Sequence, residues 1–307
     1  MNQPLVSIPV ITYNSSKTIL ETLESIKAQT YQNLELIVSD DGSKDDTVAI
    51  CREWIAKNKE RFVRAEIITV AKNTGVSANG NRAEGACVGE WIKLIAGDDI
   101  LMPTCIADYL AYVEQHPETV YMFSRIEAFG ASKERNRYFT EKAFDYRFFD
   151  LDASRQYEKL IWQNYVTTCT CMFNRLKNDE LGLRNDERIP MLEDWPRWIN
   201  VTKKGVQLRF LDKVEVKYRI HENSLSTSGT VSPIYRHSNM LLCKYYQIPY
   251  TWHLGLHQRA VLYYLKLQTM MHPDSRWRKK LFEVCDRIYN AHSKNPVEYS
   301  MIEIDKK

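Results

Sequence analysis

The sequence lacks several features that define whole classes of protein. No apolar run is long enough to cross a membrane. The seven cysteines are odd in number and scattered, which argues against a disulfide framework. Cys169 and Cys171 stand close together, but no second Cys/His cluster lies nearby to complete a zinc site. Residues 1–4 lead directly into an apolar strand pattern instead of a secretory leader. We therefore expect a protein of the reducing cytoplasm.

The chain also lacks a strong excess of either charge. Its 42 Lys and Arg residues stand against 39 Asp and Glu residues, and the net charge of +3 does not suggest a nucleic-acid partner. The basic charge is concentrated in residues 232–307, where 12 Lys and Arg accompany 6 Asp and Glu. This stretch is aromatic and has helical spacing, so we expect a helical extension. It can pack on the preceding domain or on a second copy of the chain, or lie at an anionic membrane surface.

Apolar runs alternate with helical patterns over the first 125 residues. Runs near residues 5–11, 34–38, 67–70 and 91–96 predict four strands, and the spacing between them predicts three helices. Strands that are apolar on both faces and alternate with helices are typical of a parallel sheet. The sequence therefore predicts an α/β, Rossmann-like fold with a mostly parallel central sheet flanked by helices.

Polar side chains follow three of these strands. Residues 12–14 follow the first strand, Asp40 and Asp41 the second, and Asp98 and Asp99 the fourth. The carboxyl ends of parallel strands lie along one edge of the sheet, so these side chains should meet in one acidic cleft. Such a cleft suits a phosphate only when a divalent metal supplies positive charge. The alternatives are a solvated Gly-Asp-Asp turn for the second acidic pair and an Asx turn for Asp40.

Further along the chain, Glu193 and Asp194 precede Pro196, which suits the first turn of a helix. Asp194 can cap that helix, and it can also serve as a general base. The two roles are compatible, because a cap needs only one carboxylate oxygen. His221 follows a predicted strand, where it can bind the sheet or approach a metal or phosphate.

Taken in order, these segments resemble glycosyltransferase family 2, whose members use nucleotide sugars and have the GT-A fold. The resemblance spans residues 4–230. It is carried by VSIPVITYN, SDDGSKDDT, the Asn73-Thr74-Gly75 turn, Gly89-Glu90, Asp98-Asp99, Glu193-Asp194 and YRIHENSLS. It implies a nucleotide-sugar-binding half over residues 1–125 and an acceptor-binding and catalytic half over residues 126–231. Residues 232–307 would form the C-terminal extension.

The resemblance also implies a nucleotide-sugar site. The first strand end would lie against the base and ribose, Asp41 would accept from the uracil ring N–H, and Asp98 would lie near the ribose and sugar. The residues implied are Ile11, Thr12, Tyr13, Asp40, Asp41, Asn73, Gly75, Asn81, Arg82 and Asp98. The family commonly has an arginine directly before the asparagine of this last loop, where this chain has Gly80. Whether Arg82 replaces that arginine is open.

The resemblance assigns Asp194 as the catalytic base with Glu193 as its neighbour. It assigns Asp99 and His221 as ligands of a divalent cation, Mn²⁺ or Mg²⁺. Many members carry a third acid two positions before the acidic pair, where this chain has Ala96. Fewer carboxylates would therefore hold the ion.

The implied function is an inverting, metal-dependent glycosyltransferase that moves a sugar from a UDP-sugar to a saccharide or lipid-linked acceptor. Its expected role is bacterial surface polysaccharide biosynthesis, in the cytoplasm or at the inner face of the membrane. The residue types fit, because carboxylates hold a hard cation beside a departing diphosphate and also take a proton. One alternative is a nucleotidyltransferase, although residues 13–16 do not form the basic, Gly-rich loop that it needs. Another is a sugar-nucleotide-binding module without catalysis, against which Asp194 argues.

Overall fold

The structure, a computed structural model, describes residues 3–220 and 233–250. Contacts divide the chain into one unit that ends at Leu242 and a second that begins at Cys243. In the second unit the described residues form two short helical segments, Cys243–Gln247 and Ile248–Tyr250. Most of the predicted extension, residues 232–307, lies outside the described residues. Within the described ranges, no helix is long and apolar enough to cross a membrane.

The first unit alternates strands and helices. Its described helices are α1 (Ile19–Lys27), α2 (Thr47–Asn58), α3 (Val76–Gly85), α4 (Cys105–Gln115), α5 (Lys133–Glu141), α6 (Ala153–Trp162), α7 (Arg175–Glu180), α8 (Asp194–Lys203) and α9 (Pro233–Leu242). Its described strands are β1 (Val6–Thr12), β2 (Leu34–Asp40), β3 (Arg64–Thr69), β4 (Trp91–Lys93), β5 (Ile95–Ala96), β6 (Ile100–Leu101), β7 (Tyr121–Phe129), β8 (Met172–Asn174) and β9 (Leu208–Arg219). Short 3₁₀ turns occur at Lys59–Arg61, Tyr146–Asp150 and Thr168–Thr170.

These strands form one mixed sheet in the order β3-β2-β1-β4-β8-β7-β9-β6, with β5 beside β1. The strands β1 to β5 pair in parallel with their neighbours among themselves, and β7 is parallel to β9. The remaining pairs, which involve β8 and β6, are antiparallel. Helices cross over between the first strands and return the chain in the same direction, which makes this half parallel. The predicted α/β fold is confirmed, and β7 carries the sheet across the boundary predicted at residue 125.

Apolar side chains on both faces of the parallel strands form the core. Every residue of β2 is buried, and Ile8 and Val10 of β1 are completely inaccessible to solvent. Ile19, Leu23 and Ile26 recur along one face of α1 and pack into the same core. Burial of each such side chain stabilises the fold by about 1.5–3 kcal/mol relative to exposure. This packed layer holds the strand ends in place.

The apolar run over residues 91–96 forms two strands where the pattern predicts one. Between them, the N–H of Leu94 donates to the carbonyl of Cys171 at 3.0 Å, not to β1. Lys93 is completely buried, and its ammonium donates to the carbonyls of Leu94 at 2.8 Å and Cys169 at 2.6 Å. Through these bonds, residues 93 and 94 contact the segment before β8, and the pairing of residues 91–96 with β1 is interrupted at Leu94.

A buried ion pair joins α3 to α8. Arg197 and Glu84 are almost fully buried, and Nη1 of Arg197 donates to Oε1 of Glu84. The guanidinium also lies 4.5 Å from the centre of the Phe173 ring and donates to the Tyr121 hydroxyl at 3.4 Å. Because Asp194 begins α8, this pair helps to set the position of the predicted base.

Candidate active site

The ends of β1, β2 and β5 lie side by side at one edge of the sheet. Thr12 pairs with Asp40, and Ile11 pairs with Ala96. The residues that follow these strands therefore lie together at this edge of the sheet, which we call the cleft. Tyr13 follows β1 and is 44% exposed, so a ligand in the cleft can reach its ring.

Thr12 supplies a buried hydroxyl at this edge. Among the described residues, its Oγ1 has no hydrogen-bond partner. A Cβ at position 97 would lie 2.9 Å from Oγ1, so only glycine leaves this space open. The N–H of Gly97 donates to the carbonyl of Ile11 at 2.9 Å and keeps the two chain segments together. The unsatisfied hydroxyl suits a polar ligand at the strand end.

The two acids after β2 have different surroundings. Asp40 accepts from the N–H groups of Gly42 at 3.1 Å and Ser43 at 2.9 Å, and also from the Ser43 hydroxyl. It therefore forms the Asx turn that was one alternative for this residue. Asp41 instead reaches across the cleft. It accepts from Thr74 Oγ1 at 2.6 Å and from the N–H groups of Thr74 and Gly75, each at 2.9 Å.

Arg82 lies beside Asp41. Its Nη2 donates to Asp41 Oδ1 at 2.8 Å and to Asn79 Oδ1 at 2.8 Å, and its Nε donates to Ser39 Oγ at 3.2 Å. With the bond from Arg82 Nη2, Asp41 accepts four hydrogen bonds, which is about the capacity of a carboxylate. A base N–H would have to take the place of one of these donors. These contacts of Arg82 thus lie at the Asp41 end of the cleft.

Asn81 faces a different segment. Its side chain exchanges hydrogen bonds with the backbone of Asn185, at 3.0 Å to the carbonyl and 2.9 Å from the N–H. A Cβ at Gly80 would lie 2.7 Å from Nδ2 of Asn185, so the arginine common in the family would displace that side chain. In this structure Asn81 fastens α3 to the loop before the predicted base.

The Asn73-Thr74-Gly75 turn is held by local bonds. Asn73 Oδ1 accepts from the N–H of Gly75 at 3.0 Å. Gly75 has φ +92°, which an L side chain rarely adopts, and a Cβ there would lie 3.2 Å from Pro190. Glycine at this position therefore permits both the turn and its close approach to the loop that leads to Glu193.

Asp98 and Asp99 form the second acidic group of the cleft. Asp99 is only 2% exposed, and its Oδ1 accepts from the N–H of Arg219 at 2.9 Å. Burial raises the pKa of Asp99 well above its ordinary value, and the charge of Asp98 raises it further. Arg219 also donates from Nε to the Asp98 carbonyl at 2.8 Å and from Nη2 to Glu21 at 2.8 Å. The sequence pattern did not single out Arg219.

The carboxylates of Asp98 and Asp99 are chemically suited to a hard divalent cation, which would relieve the repulsion between them. Over residues 3–220 and 233–250, no group of three or more His, Cys, Asp or Glu side chains is arranged to hold a metal. His221, the other predicted ligand, lies outside the described residues. The described donor set is therefore two adjacent carboxylates.

Asp194 is the first residue of α8, and Glu193 precedes it. Oδ1 of Asp194 accepts from the N–H of Trp195 at 2.7 Å, which satisfies one free N–H of the helix. Oδ2 accepts from Nδ2 of Asn164 and Oγ1 of Thr168, both at 2.8 Å. The structure thus gives Asp194 a capping contact one residue inside the helix. Neither Asn164 nor Thr168 was expected from the sequence.

The pKa values of the two acids are both raised. Burial raises the pKa of Glu193 to about 8, with a further contribution from the charge of Asp194. Burial also raises the pKa of Asp194, whereas its hydrogen bonds from Thr168 and Asn164 lower it. The three donors favour the ionised form of Asp194. We therefore assign the negative charge to Asp194 and the proton to Glu193 near neutral pH.

A single turn contacts both acidic groups. In the 3₁₀ turn Thr168–Thr170, the Thr168 hydroxyl donates to Asp194, and the Cys169 side chain lies beside Asp99. Consecutive residues therefore tie the predicted base to the predicted metal ligand. No sequence motif marks this turn, since threonine and cysteine are ordinary core residues here.

Helix α9 packs against the loop that leads to the base. The N–H of Met191 donates to the hydroxyl of Ser238, which is completely buried, at 3.3 Å. Burial raises the pKa of Tyr235, and the charges of Asp194 and Glu193 raise it further. Tyr235 therefore lies within electrostatic range of the predicted base, although it was not a candidate from the sequence.

Comparisons with known proteins show the sequence family and the fold that this chain resembles. The sequence profile described as "Glycosyl transferase family 2" matches residues 7–182. Over 242 residues, the chain is 29% identical to WfaP of Escherichia coli. That protein is described as UDP-Glc:alpha-D-GlcNAc-diphosphoundecaprenol beta-1,3-glucosyltransferase. The match covers 77% of this chain and 85% of WfaP.

Two solved structures have a similar fold at low sequence identity. TarS 1–349 of S. aureus, in complex with UDP-GlcNAc, superposes with a TM-score of 0.61 at 17% identity, over 86% of this chain and 72% of TarS 1–349. The mannosyltransferase PcManGT of Pyrobaculum calidifontis, in complex with GDP-Man and Mn²⁺, superposes with a TM-score of 0.53 at 16% identity. That match covers 96% of this chain and 89% of PcManGT.

Proposed function

Because this chain belongs to glycosyltransferase family 2, we propose that it moves a sugar from a UDP-sugar to a hydroxyl of a saccharide or lipid-linked acceptor, with inversion at the anomeric carbon. Family membership and the GT-A fold make it a glycosyltransferase. The donor, the acceptor, the metal and the stereochemistry are the proposal. We assign donor binding to residues 1–125, and acceptor binding and catalysis to residues 126–231.

The observation that carries the proposal is the turn Thr168–Thr170, which contacts Asp194 through Thr168 and Asp99 through Cys169. A transferase needs a base for the acceptor and a site for the diphosphate close together. This turn brings one candidate for each to neighbouring positions. A module that only binds nucleotide sugars would not need a base there.

In the proposed reaction, the oxygen of the acceptor hydroxyl attacks the anomeric carbon, and Asp194 takes the proton of that hydroxyl at the same time. The bond from that carbon to the diphosphate breaks, and the departing UDP keeps the electron pair. Attack from the face opposite the leaving group inverts the centre in a single displacement, as in inverting glycoside hydrolysis. One base is sufficient, and no covalent intermediate is needed.

For the donor, we propose that the uracil and ribose lie along Thr12, Tyr13 and Asp41, and the diphosphate lies near Asp98 and Asp99. A divalent cation, Mn²⁺ or Mg²⁺, would supply positive charge against the diphosphate. Asp98 and Asp99 would hold it, with His221 as a further predicted ligand. Binding of the metal should therefore depend on the diphosphate, because two carboxylates leave several positions of an octahedral ion to other oxygens.

The relatives suggest where to look for substrates. WfaP is named for transfer from UDP-Glc to a GlcNAc-diphosphoundecaprenol, so we propose a lipid-linked acceptor and a role in bacterial surface polysaccharide assembly. We further propose that the protein acts in the cytoplasm, on an acceptor at the inner face of the membrane. Residues 232–307 are the proposed region of membrane contact or self-association.

The first experiment identifies the donor. Thermal unfolding is measured with UDP-glucose, UDP-GlcNAc and GDP-mannose, each with and without Mn²⁺, since a ligand of the folded state raises its stability by mass action. We expect one UDP-sugar to raise the midpoint, and to do so more strongly with Mn²⁺. Calorimetry that finds equal affinity for UDP with and without Mn²⁺ would contradict the metal role.

The second experiment separates binding from catalysis by variants. Asp194→Asn should abolish transfer to a GlcNAc-diphospholipid and retain affinity for UDP. Asp99→Asn should instead weaken Mn²⁺-dependent binding of UDP. Glu53→Gln, which changes an exposed acid of α2, is the matched control and should behave as the wild type. Wild-type transfer by Asp194→Asn would show that the base is assigned incorrectly.

A further inference from the structure

The hydrogen bonds to Asp194 are shared unequally between its two oxygens. Oδ2 accepts from the Asn164 amide and the Thr168 hydroxyl, both at 2.8 Å. Among the described residues, Oδ1 accepts only from the N–H of Trp195, at 2.7 Å. Each oxygen of a carboxylate offers about two acceptor positions, so Oδ2 is fully used and Oδ1 retains one.

We infer that Asn164 and Thr168 are positioning residues, which hold Oδ2 of Asp194 and leave Oδ1 to take the proton of the acceptor hydroxyl. The inference rests on the proposed function, because it requires Asp194 to be the base. In this role the two residues act through Asp194 and need not touch either substrate. Together they fix the carboxylate plane, and hence the direction in which Oδ1 accepts.

The Thr168 hydroxyl is itself held in place. The next residue, Cys169, is anchored by the buried ammonium of Lys93, which donates to its carbonyl at 2.6 Å. The Cys169 side chain lies beside Asp99, close enough to lower the pKa of that carboxyl. The position of Oδ2 is therefore set relative to Asp99 through two consecutive residues. A reaction between an activated hydroxyl and a donor bound near Asp99 depends on such a fixed geometry.

The same two donors also affect the charge of the base. Hydrogen bonds from Asn164 and Thr168 favour the ionised carboxylate, in opposition to burial. Within the described ranges, the titratable groups whose charges interact with Asp194 are Glu193, beside it at the start of α8, and Tyr235 on α9. A negative charge on Glu193 opposes ionisation of Asp194. Loss of one donor should therefore raise the pKa at which Asp194 becomes an effective base.

The test compares Thr168→Val with Thr168→Ser. Release of UDP from UDP-glucose and UDP-GlcNAc is measured with Mn²⁺ and a GlcNAc-diphospholipid acceptor across a range of pH. The valine removes the hydroxyl and keeps the shape, so kcat should fall about tenfold or more. The acid limb of the kcat profile should move up by about one pH unit, while KM for the donor stays unchanged. The serine variant, which keeps the hydroxyl, should have the wild-type kcat and the wild-type position of the acid limb.

A second variant tests the other donor on the same oxygen. Asn164→Asp retains an oxygen for the N–H of Val166, which Asn164 Oδ1 accepts at 3.1 Å, and replaces the amide donor with another acceptor. The acid limb should again move up, because the two carboxylates must share a proton. Because the new charge by itself moves the limb, Thr168→Val, which adds no charge, separates a positioning role from a purely structural one. A purely structural role of Thr168 would lower the amount of folded protein without moving the limb.

Asp194→Asn distinguishes failure of this inference from failure of the proposed function. If Asp194→Asn is inactive and both Thr168→Val and Asn164→Asp keep the wild-type profile, the positioning role is wrong and the base assignment stands. If Asp194→Asn releases UDP as fast as the wild type, the base assignment is wrong, and the inference is overturned with it.

Discussion

Removal of Arg197 should destabilise the protein strongly, because it leaves the charge of Glu84 buried without a partner. The Arg197 and Glu84 side chains are 1% and 4% exposed, and Arg197 Nη1 donates to Oε1 of Glu84. Arg197 also donates to Asn185 and Asn178, each at 3.3 Å. The substitution Arg197→Met keeps most of the length of the side chain and removes all of these donors.

The magnitude follows from the cost of an unpaired buried charge. Breaking such a pair by removal of one partner costs about 3–5 kcal/mol. Glu84→Leu should cost a similar amount, because it leaves the guanidinium of Arg197 without its carboxylate. The double variant should lose far less than the sum of the two, because it leaves no buried charge. Among the described residues, Oε2 of Glu84 and Nε of Arg197 lack hydrogen-bond partners, so the pair is imperfectly satisfied even in the wild type.

Urea denaturation of the wild type, both single variants and the double variant gives the coupling energy. We expect a favourable coupling of several kcal/mol at unchanged m-value. An Arg197→Met variant within about 1 kcal/mol of the wild type would refute the reasoning. Additive losses in the double variant would refute it equally, because they would show that the two charges do not depend on each other.

Two further substitutions test packing and burial elsewhere. Gly89→Ala should lower the free energy of unfolding by about 1–3 kcal/mol, because its Cβ would lie 2.6 Å from Ser7 Oγ and 2.8 Å from the Leu5 carbonyl oxygen. Gly85→Ala, at a position with no atom within 4 Å, is the matched control and should be neutral or stabilising in the same urea titration. A separate prediction concerns Glu215, whose pKa is raised by burial from 4.5 to about 7. Between these two pH values, the unfolded chain releases a proton that the folded protein keeps. The wild type therefore loses stability as the pH rises through this range. Glu215→Gln does not have this loss. Its free energy of unfolding in urea, relative to the wild type, should therefore grow from near zero below about pH 4.5 to on the order of 3 kcal/mol above about pH 7. A difference that does not depend on pH would contradict the assignment.

Much of the fold could be predicted because its signals are local. The periodicity of apolar residues distinguishes β1, β2 and α1 without knowledge of their neighbours. Alternation of strands and helices then implies parallel pairing. The break at Leu94 could not be predicted in this way, because it depends on two tertiary contacts. The Cys171 carbonyl accepts from the N–H of Leu94, and the Cys169 carbonyl accepts from the ammonium of Lys93.

The candidate site was predictable to a lesser extent. The convergence of strand ends near Asp41 and Asp99 follows from the order of elements. The partners of these acids do not follow, since Thr168 and Asn164 are ordinary polar residues outside any motif. Arg219 lies in the YRIHENSLS segment, but nothing in that segment indicates that it contacts Asp99. The roles of the predicted site residues stay predictions, to be tested by the experiments above.

The sequence by itself determined the class of fold, the order of its elements and the family, because periodicity and motif order are properties of the chain alone. Only the tertiary structure decided which donors surround each carboxylate. Asp41 and Asp194 look alike in the sequence, yet Asp41 is enclosed by four donors and Asp194 retains an accepting position on Oδ1. The physical reason is that hydrogen bonding and burial depend on segments more than twenty residues apart, such as Thr168 and Asp194, which only packing brings together.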